Sequence, residues 1–524
     1  MSHVRSMPWL GYLFAAAAAT LAVWRWSQRV VAYDDAYISF RYAKNLIEGV
    51  GLVFNEGVRV EGYTNFAWTM LSAAAIALGI DPLLATRMVG VFCYAAVAAT
   101  LTFFWFRWTK DGIFRWLGLP VLWLVFARTG FSAHAGTGLE TMAVALMIMM
   151  VGVLAFALEA RWWGSALLAG LLCITRTDGG LVVPAVTLLL LLQGGLGNTG
   201  WTAGFRAAVR WASIPCAIVT AHIVFRLAYY GQVVPNTYYA KGGDLFAWIK
   251  GGSYLGTVVY AVPETGALLL TALVGLTLSK GRARALIGYG VLYVTLYALY
   301  LLKVGGDFME YRFMWTIYPV LMLAGFRALV VIADRRRVAG AVGAALLVGL
   351  TFTQRPTGTD GFGFPNIIRD GHVILGHEVI NLMVEEGTLV GKTLKDVLPP
   401  DTTIATTLAG TVPYFSELRS IDQWGLNEPY VRHQPPHPNY ARGHVKRATD
   451  EYLRETGVQL YVDHPRICSC ARPCRERRPN VFVRLGDDQC LRTWYFQQSP
   501  ELTAHFCEHP EWFLLNRVRC EAPR

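Results

Sequence analysis

Two adjacent carboxylates, Asp34 and Asp35, open a stretch that runs Asp34-Asp35-Ala36-Tyr37-Ile38-Ser39-Phe40-Arg41-Tyr42-Ala43-Lys44. They stand just after the apolar run Trp9–Trp24. Neighbouring like charges beside a low-dielectric medium repel, which tends to raise the pKa of at least one carboxyl. A carboxylate so tuned suits a general base that takes a proton from a sugar hydroxyl. The same pair would also serve simply to end a helix in water. Further on, Arg176, Lys241 and Arg312 each sit where a short polar segment meets an apolar run, in Arg176-Thr177-Asp178, Pro235-Asn236 to Lys241, and Asp307 to Arg312. Arg grips phosphate bidentately and Lys meets it as a point charge. Three cations near a carboxylate pair would therefore suit an anionic lipid headgroup held beside a base. Other polar groups in these segments are candidates for touching substrate: Arg41, Glu61, Tyr63, Asn65, His134, Asp178, Asn236 and Asp307. Each has a plainer alternative as a snorkelling or salt-bridged helix end.

The elements that must position these groups are membrane helices. Charged residues make up 16% of the chain and hydrophobic ones 54%, against about 25% charge in soluble domains. A span needs about 20 apolar residues. Eleven runs qualify: Trp9–Trp24, Met88–Phe106, Ile113–Ala127, Met142–Leu158, Trp163–Thr175, Gly180–Leu192, Trp211–Tyr229, Gly256–Leu278, Ala285–Leu302, Phe313–Ile332 and Val338–Phe352. A twelfth, Phe66–Ile80, decides the topology. If it does not span, the loops with Arg107/Lys110/Arg115, Arg161, Arg206/Arg210, Lys280/Arg282/Arg284 and Arg335/Arg336/Arg337 share one side. By the positive-inside rule that side is the cytoplasm. Phe66–Ile80 then reads as an interfacial helix within a first external loop of residues 33–87. The net charge of +11 serves these loops, and no basic run suggests nucleic acid. The first helix shows no cleavage site and reads as an uncleaved anchor.

After Gln354 the long apolar runs stop, and eight of the eleven histidines lie there. The expected division is a membrane domain, residues 1–353, and a soluble mixed α/β domain, residues 354–524, outside the cytoplasm. Cys93, Cys173 and Cys216 fall in apolar spans. The other six, Cys468, Cys470, Cys474, Cys490, Cys507 and Cys520, read as three disulfides in an exported domain, with 15 connectivities open. The rival is zinc, for which the C-x-C-x3-C spacing is wrong. A divalent cation beside Asp34 and Asp35 has no ligand spacing in its favour.

The first-loop block, with Glu61-Gly62-Tyr63-Thr64-Asn65, resembles the GT-C glycosyltransferases, and within them the arabinofuranosyltransferases of mycobacterial cell-wall arabinan. Pro235 to Lys241, Gly306-Asp307-Phe308-Met309 with Arg312-Phe313, and Ala409 to Ser416 through Ile421 to Leu426 fit the same pattern. The resemblance implies a polyprenyl-phosphate sugar donor, a first-loop Asp at the reaction centre, transfer on the outer face of the cytoplasmic membrane, and a cell-envelope glycan acceptor such as arabinan. On it, Asp34 or Asp35 is the base, with Asp34 favoured because the second Asp can cap the helix beginning there. Arg312, Lys241 and Arg176 hold the lipid phosphate, and aromatics of the external domain, Tyr414, Trp424 and Trp494, meet the acceptor. The alternatives are a transferase of the same fold for mannose or another sugar, a lipid-carrier transporter, and a non-catalytic envelope scaffold. A transporter should show repeated halves and broken helices, neither of which the sequence displays.

Overall fold

The computed structural model describes residues 8–28, 30–109, 113–116, 118–158, 161–196, 200–242, 246–353, 375–436, 444–472, 478–486 and 488–520. The chain is a membrane protein built as a helical bundle with a small C-terminal sheet domain. Among the described residues, five helices are long and apolar enough to cross a membrane: Pro82–Trp108, Thr177–Gly195, Trp201–Tyr230, Gly281–Val304 and Arg312–Arg335. Helix Arg312–Arg335 is central, with 89% of its apolar stretch buried inside the protein. Shorter apolar helices of 10–17 residues include Phe66–Ala77, Trp162–Thr175 and Arg337–Thr351. By length alone the expected eleven crossings are therefore not reached.

Two of the expected spans are not single helices. Gly256–Leu278 is divided between helices Ala247–Ala261 and Glu264–Leu278, which meet at 93°. The break falls at Val262 and Pro263. Val262 precedes a proline and takes a non-helical φ/ψ of −129°/65°, because the proline ring crowds the helical conformation of the residue before it. At the bend a buried ion pair forms: Arg128 Nε and Nη2 donate to Glu264 Oε1 and Oε2, both at 2.7 Å. The run Ile113–Ala127 likewise forms three short helices, Ile113–Trp116, Gly118–Leu122 and Leu124–Ala127.

The first four helices are α1 (Pro8–Ser27), α2 (Asp34–Ile47), α3 (Phe66–Ala77) and α4 (Pro82–Trp108). Both ends of α3 lie at one end of the bundle. Asn65, before it, donates to Glu140, while Arg87, after it, donates to the carbonyls of Gly136 and Val31. Twelve residues at 1.5 Å each give only about 18 Å of helix, less than a membrane crossing needs. The opposite end of the bundle carries basic residues. There Arg210 lies over Trp162, Arg115 over Phe106, and Arg335 donates to the Leu278 carbonyl.

The C-terminal domain holds one six-stranded sheet, β1 (Thr403–Thr406), β2 (Arg419–Asp422), β3 (Leu460–Ser469), β4 (Asn480–Arg484), β5 (Gln489–Tyr495) and β6 (Phe513–Asn516), in the order β2-β1-β3-β5-β4-β6. Strand β1 runs parallel to β2 and β3, and the remaining pairs are antiparallel. All four residues of β1 are buried, as expected of a strand flanked in parallel and covered on both faces. Helices His377–Val397 and Pro500–Glu508 supply Val390, Leu394, Leu502 and Phe506 to the core against Ile404, Val481 and Leu491. Two disulfides staple this domain, Cys470–Cys490 and Cys507–Cys520. Cys468 is also disulfide-bonded, and Cys474 lies outside the described residues. Pairing Cys470 rather than Cys468 with Cys490 was not legible in the spacing, since Cys468 is the residue in register with Cys490 across β3 and β5.

Glu428, buried beside Asp422, accepts a hydrogen bond from Tyr452 at 2.8 Å. Burial, above all, lifts its carboxyl from an ordinary 4.5 to about 8. A carboxyl raised on folding contributes stability that is full below about 4.5 and is lost as pH rises through 8. Glu428→Gln is therefore expected to melt close to wild type at pH 5 and above it at pH 9. Equal melting temperatures of the two proteins at both values would show that folding does not raise the Glu428 carboxyl.

Candidate active site

Tyr33 ends the extended segment before α2. Its N–H donates to Thr137 O at 3.0 Å and its hydroxyl meets His377 Nδ1 at 2.8 Å, pinning the start of α2 between the bundle and the C-terminal domain. Asp34 and Asp35 then occupy the first turn. Successive helical residues point about 100° apart, and here the two carboxylates face different partners. Asp34 accepts from Gly410 N at 2.8 Å, Thr411 N at 2.7 Å and Thr411 Oγ1 at 2.6 Å. It is a clasp on the C-terminal domain. Burial raises its carboxyl to about 6, against the lowering effect of those hydrogen bonds. Asp35 faces Arg312, Oδ2 to Nη1 3.7 Å, and keeps a third of its side chain exposed.

Arg312 begins the central helix. The preceding helix, Gly281–Val304, is closed by Gly305 at φ 84°, and Tyr311 takes a left-handed φ of 56° to turn the chain back. A left-handed non-glycine residue is a local strain that surrounding structure must hold. It is held here by a strap from the C-terminal domain, where Leu375 N donates to Phe308 O and Glu310 N to Leu375 O. Arg312 Nε donates to Asp307 Oδ2 at 2.8 Å. Arg176 lies on the same Phe313 ring as Arg312, at 5.0 and 5.4 Å from its centre. Its charge is already met by Asp178 at 2.7 Å and Glu140 at 3.3 Å, and Tyr297 completes Asp178 at 2.7 Å.

Lys241 follows the short helix Asn236–Ala240. It reaches solvent although protein packs round much of its length. Burial pushes its ammonium below the ordinary lysine range, and Arg312 and Arg176 add to this while Asp35 and Asp307 oppose it. Among the described residues its ammonium has no hydrogen-bond or ion-pair partner. The cluster is thus an exposed carboxylate, a half-engaged guanidinium and an unpaired ammonium, backed by the saturated Arg176–Asp178–Glu140 network. An anion brought to it would meet Lys241 and the Asp35-facing edge of Arg312.

The other candidates divide sharply. Asp178 and Asp307 orient the two arginines. Asn65 joins Ser39 to Glu140, one layer behind. Arg41 is fully engaged, with the carbonyls of Phe54, Leu418 and Pro413 and with Asn55 Oδ1. Asn236 donates to the carbonyls of Gly425, Leu426 and Glu428. Both fasten the C-terminal domain to the bundle. Glu61 pairs with Arg226 at 2.8 Å and Tyr63 meets Tyr230 at 3.1 Å, away from the cluster. His134 has no exposed surface and is packed against Tyr33 and His377. Burial, with His377 next, holds it neutral, well below the ordinary histidine range. Tyr414 packs edge-on to Tyr37 and Phe40. Trp424 instead stands near the cluster, edge-on at 4.9 Å to His444, which lies 5.2 Å from Phe308. Sequence reasoning missed His444 and Glu140, whose roles depend on contacts between distant segments. Among the described residues no group of three or more His, Cys, Asp or Glu is placed to hold a metal ion.

Comparison with known proteins places this geometry in context. Residues 380–515 match the family model described as Domain of unknown function (DUF8728). A crystal structure of ArnT from Cupriavidus metallidurans bound to undecaprenyl phosphate aligns with 93% of this chain and 98% of its own, at 12% identity and a TM-score of 0.48. The terminal beta-(1->2)-arabinofuranosyltransferase of Mycobacterium tuberculosis strain H37Rv is 28% identical over 344 residues, 57% of this chain and 53% of that one. That of Corynebacterium glutamicum is 28% identical over 359 residues, 57% of this chain and 48% of that one. The chain thus spans about half the length of the curated relatives it matches, and over that half it is similar to terminal beta-(1->2)-arabinofuranosyltransferases.

Proposed function

We propose that the protein is a membrane glycosyltransferase that moves a sugar, arabinofuranose, from a polyprenyl-phosphate donor to an arabinan-type envelope glycan. The observation that carries this reading is the exposed Asp35 carboxylate set against Arg312, with the unpaired Lys241 close by. Asp35 takes the proton of an acceptor hydroxyl as its oxygen bonds to the anomeric carbon. The bond from that carbon to phosphate oxygen breaks, and the lipid phosphate leaves with the electron pair, neutralised by Lys241 and Arg312. Phosphate so held needs no nucleotide to be a good leaving group. Arg176 supports Arg312 through their common ring, Phe313, and is too fully paired to be a primary phosphate ligand. This departs from an equal three-cation clamp. The base role passes to Asp35, because Asp34 is committed to Gly410 and Thr411. The similarity to two arabinofuranosyltransferases supports the choice of sugar.

The basic end of the bundle faces the cytoplasm on this reading, by the positive-inside rule. The site and the C-terminal domain then lie outside the cytoplasmic membrane. A lipid-carrier transporter would share the 93° helix break, and this second reading is separated from the first by chemistry. Purified protein is incubated with a panel of polyprenyl-phosphate sugars and an arabinan acceptor. Transfer from the arabinofuranosyl lipid is expected. Transfer from the mannosyl lipid alone would replace the sugar, and no transfer from any lipid would reject the enzyme.

Lys241→Ala tests the phosphate grip. A charged hydrogen bond contributes about 1.5–3 kcal/mol, so the donor KM should rise roughly 10- to 100-fold with melting unchanged. An unchanged donor KM would remove Lys241 from the site.

A further inference from the structure

A row of partly exposed rings and flat polar groups leads away from Asp35 across the C-terminal domain. It starts at Phe308, next to Asp307, and passes through His444 to Trp424. Arg447 lies over Trp424 at 5.5 Å and donates to Gln423 Oε1 and to Asp463 Oδ1 at 3.1 Å. Tyr461 also donates to Gln423, contacts Arg447, and sits 5.5 Å from Trp494, its cross-strand partner in β3 and β5. Trp494 meets Phe496 edge-on at 4.6 Å. On the same face, two residues before Tyr461, Gln459 belongs to a shallow polar hollow with Thr403, Gln497 and Ser499.

The backbone is shaped to build this row. Asp463 adopts a left-handed φ of 56°, and the β3 register shifts on both sides of it, between Ala405 and Thr406 and between Tyr461 and Arg466. A bulge costs ladder hydrogen bonds and re-aims a side chain, and a strained residue persists where the surroundings hold it. Here it turns the Asp463 carboxylate onto Arg447. That pair neutralises Arg447 in the middle of the row. Rings with planar hydrogen-bonding groups suit the apolar faces and hydroxyl edges of sugars.

We propose that the C-terminal domain carries a multi-unit glycan subsite, from Phe308 through His444 and Trp424 to Tyr461 and Trp494, that binds the neutral sugar chain behind the unit being extended. This rests on the glycosyltransferase reading and names where the acceptor lies. The exposed Arg478 lies over Trp494 at 4.2 Å, a contact of the kind a stacked sugar replaces.

The test uses the full chain in detergent with short and long linear arabino-oligosaccharides. Wild type is expected to show a lower acceptor KM for the long series. Trp494→Ala should raise the long-acceptor KM about two- to tenfold, the range of one aromatic contact, and so erase most of the length dependence. Trp494→Leu, which keeps apolar bulk in the sheet, should do the same and guards against misfolding. Length dependence retained in both variants would overturn the subsite. If wild type transfers to no acceptor, the enzyme reading fails first. Titration of the same oligosaccharides against intrinsic fluorescence then decides the subsite alone: saturable binding of the long series, weakened by Trp494→Leu, upholds it, and no saturable binding overturns it.

Discussion

Asp35→Asn should abolish sugar transfer while leaving melting and donor binding near wild type. Removing a general base costs about 10²–10⁴-fold in rate, and among the described residues the one ion pair Asp35 has to lose is its 3.7 Å approach to Arg312. Asp34→Asn should behave in the opposite way. Its carboxylate accepts three hydrogen bonds, two of them from backbone N–H groups. An Asn amide must turn its NH2 toward one of those donors, leaving a clash of donors where a bond had been. Losing such a buried contact costs about 1–3 kcal/mol. The variant should melt earlier, lose protection between α2 and residues 410–411 in hydrogen exchange, and retain measurable transfer. Near-normal transfer by well-folded Asp35→Asn would end its role as base and return attention to Asp34, Asp178 and Asp307.

The second large effect is expected at a residue with no side chain. Gly410 lies so close to α2 that a Cβ built on it falls 1.9 Å from the Asp34 carbonyl oxygen and 2.7 Å from the Asp34 carbonyl carbon. These are backbone atoms of the first turn of α2 and cannot swing aside. Gly410→Ala must therefore push the C-terminal domain away from α2 or shift α2 itself. Either movement pulls Gly410 and Thr411 off the Asp34 carboxylate and displaces Asp35, the next residue. The destabilisation should exceed the roughly 1–3 kcal/mol of an extra methylene in a packed core. Transfer should fall as far as in Asp35→Asn, although position 410 touches none of the reacting atoms. Gly457, at φ 75° with nothing near its Cβ position, is the control: Gly457→Asn should leave the interface intact. A Gly410→Ala protein with full transfer and wild-type melting would mean that the two domains do not meet as described.

The interface these substitutions probe also explains which candidates changed role. Arg41, Asn236 and Asp34 are polar residues in segments next to membrane runs, where ionisable groups invite a functional reading. In the fold each is hydrogen-bonded to backbone groups of residues 410–428. Free main-chain donors and acceptors of loops at a domain contact must be satisfied, and long polar side chains from the partner domain do so here.

Much was legible in the order of residues alone. Hydropathy marks a helix because a membrane span is local: its length and its 3.6-residue period are written in consecutive residues. Basic loops at every second turn put one end of the bundle together, and that arithmetic already grouped Asp35, Arg176, Lys241 and Arg312 and led to reading Phe66–Ile80 as interfacial. What tertiary structure decided is pairing between distant segments. Which of two adjacent aspartates faces the cations depends on where residues 410–411 dock, 376 positions away. Arg176 is met by Glu140, from the start of another helix, as well as by Asp178, and among the described residues no carboxylate forms an ion pair with Lys241. Cys490 joins Cys470 rather than the register partner Cys468. Each of these is set by the meeting of surfaces far apart in the chain, and residue type and spacing carry no record of that distance.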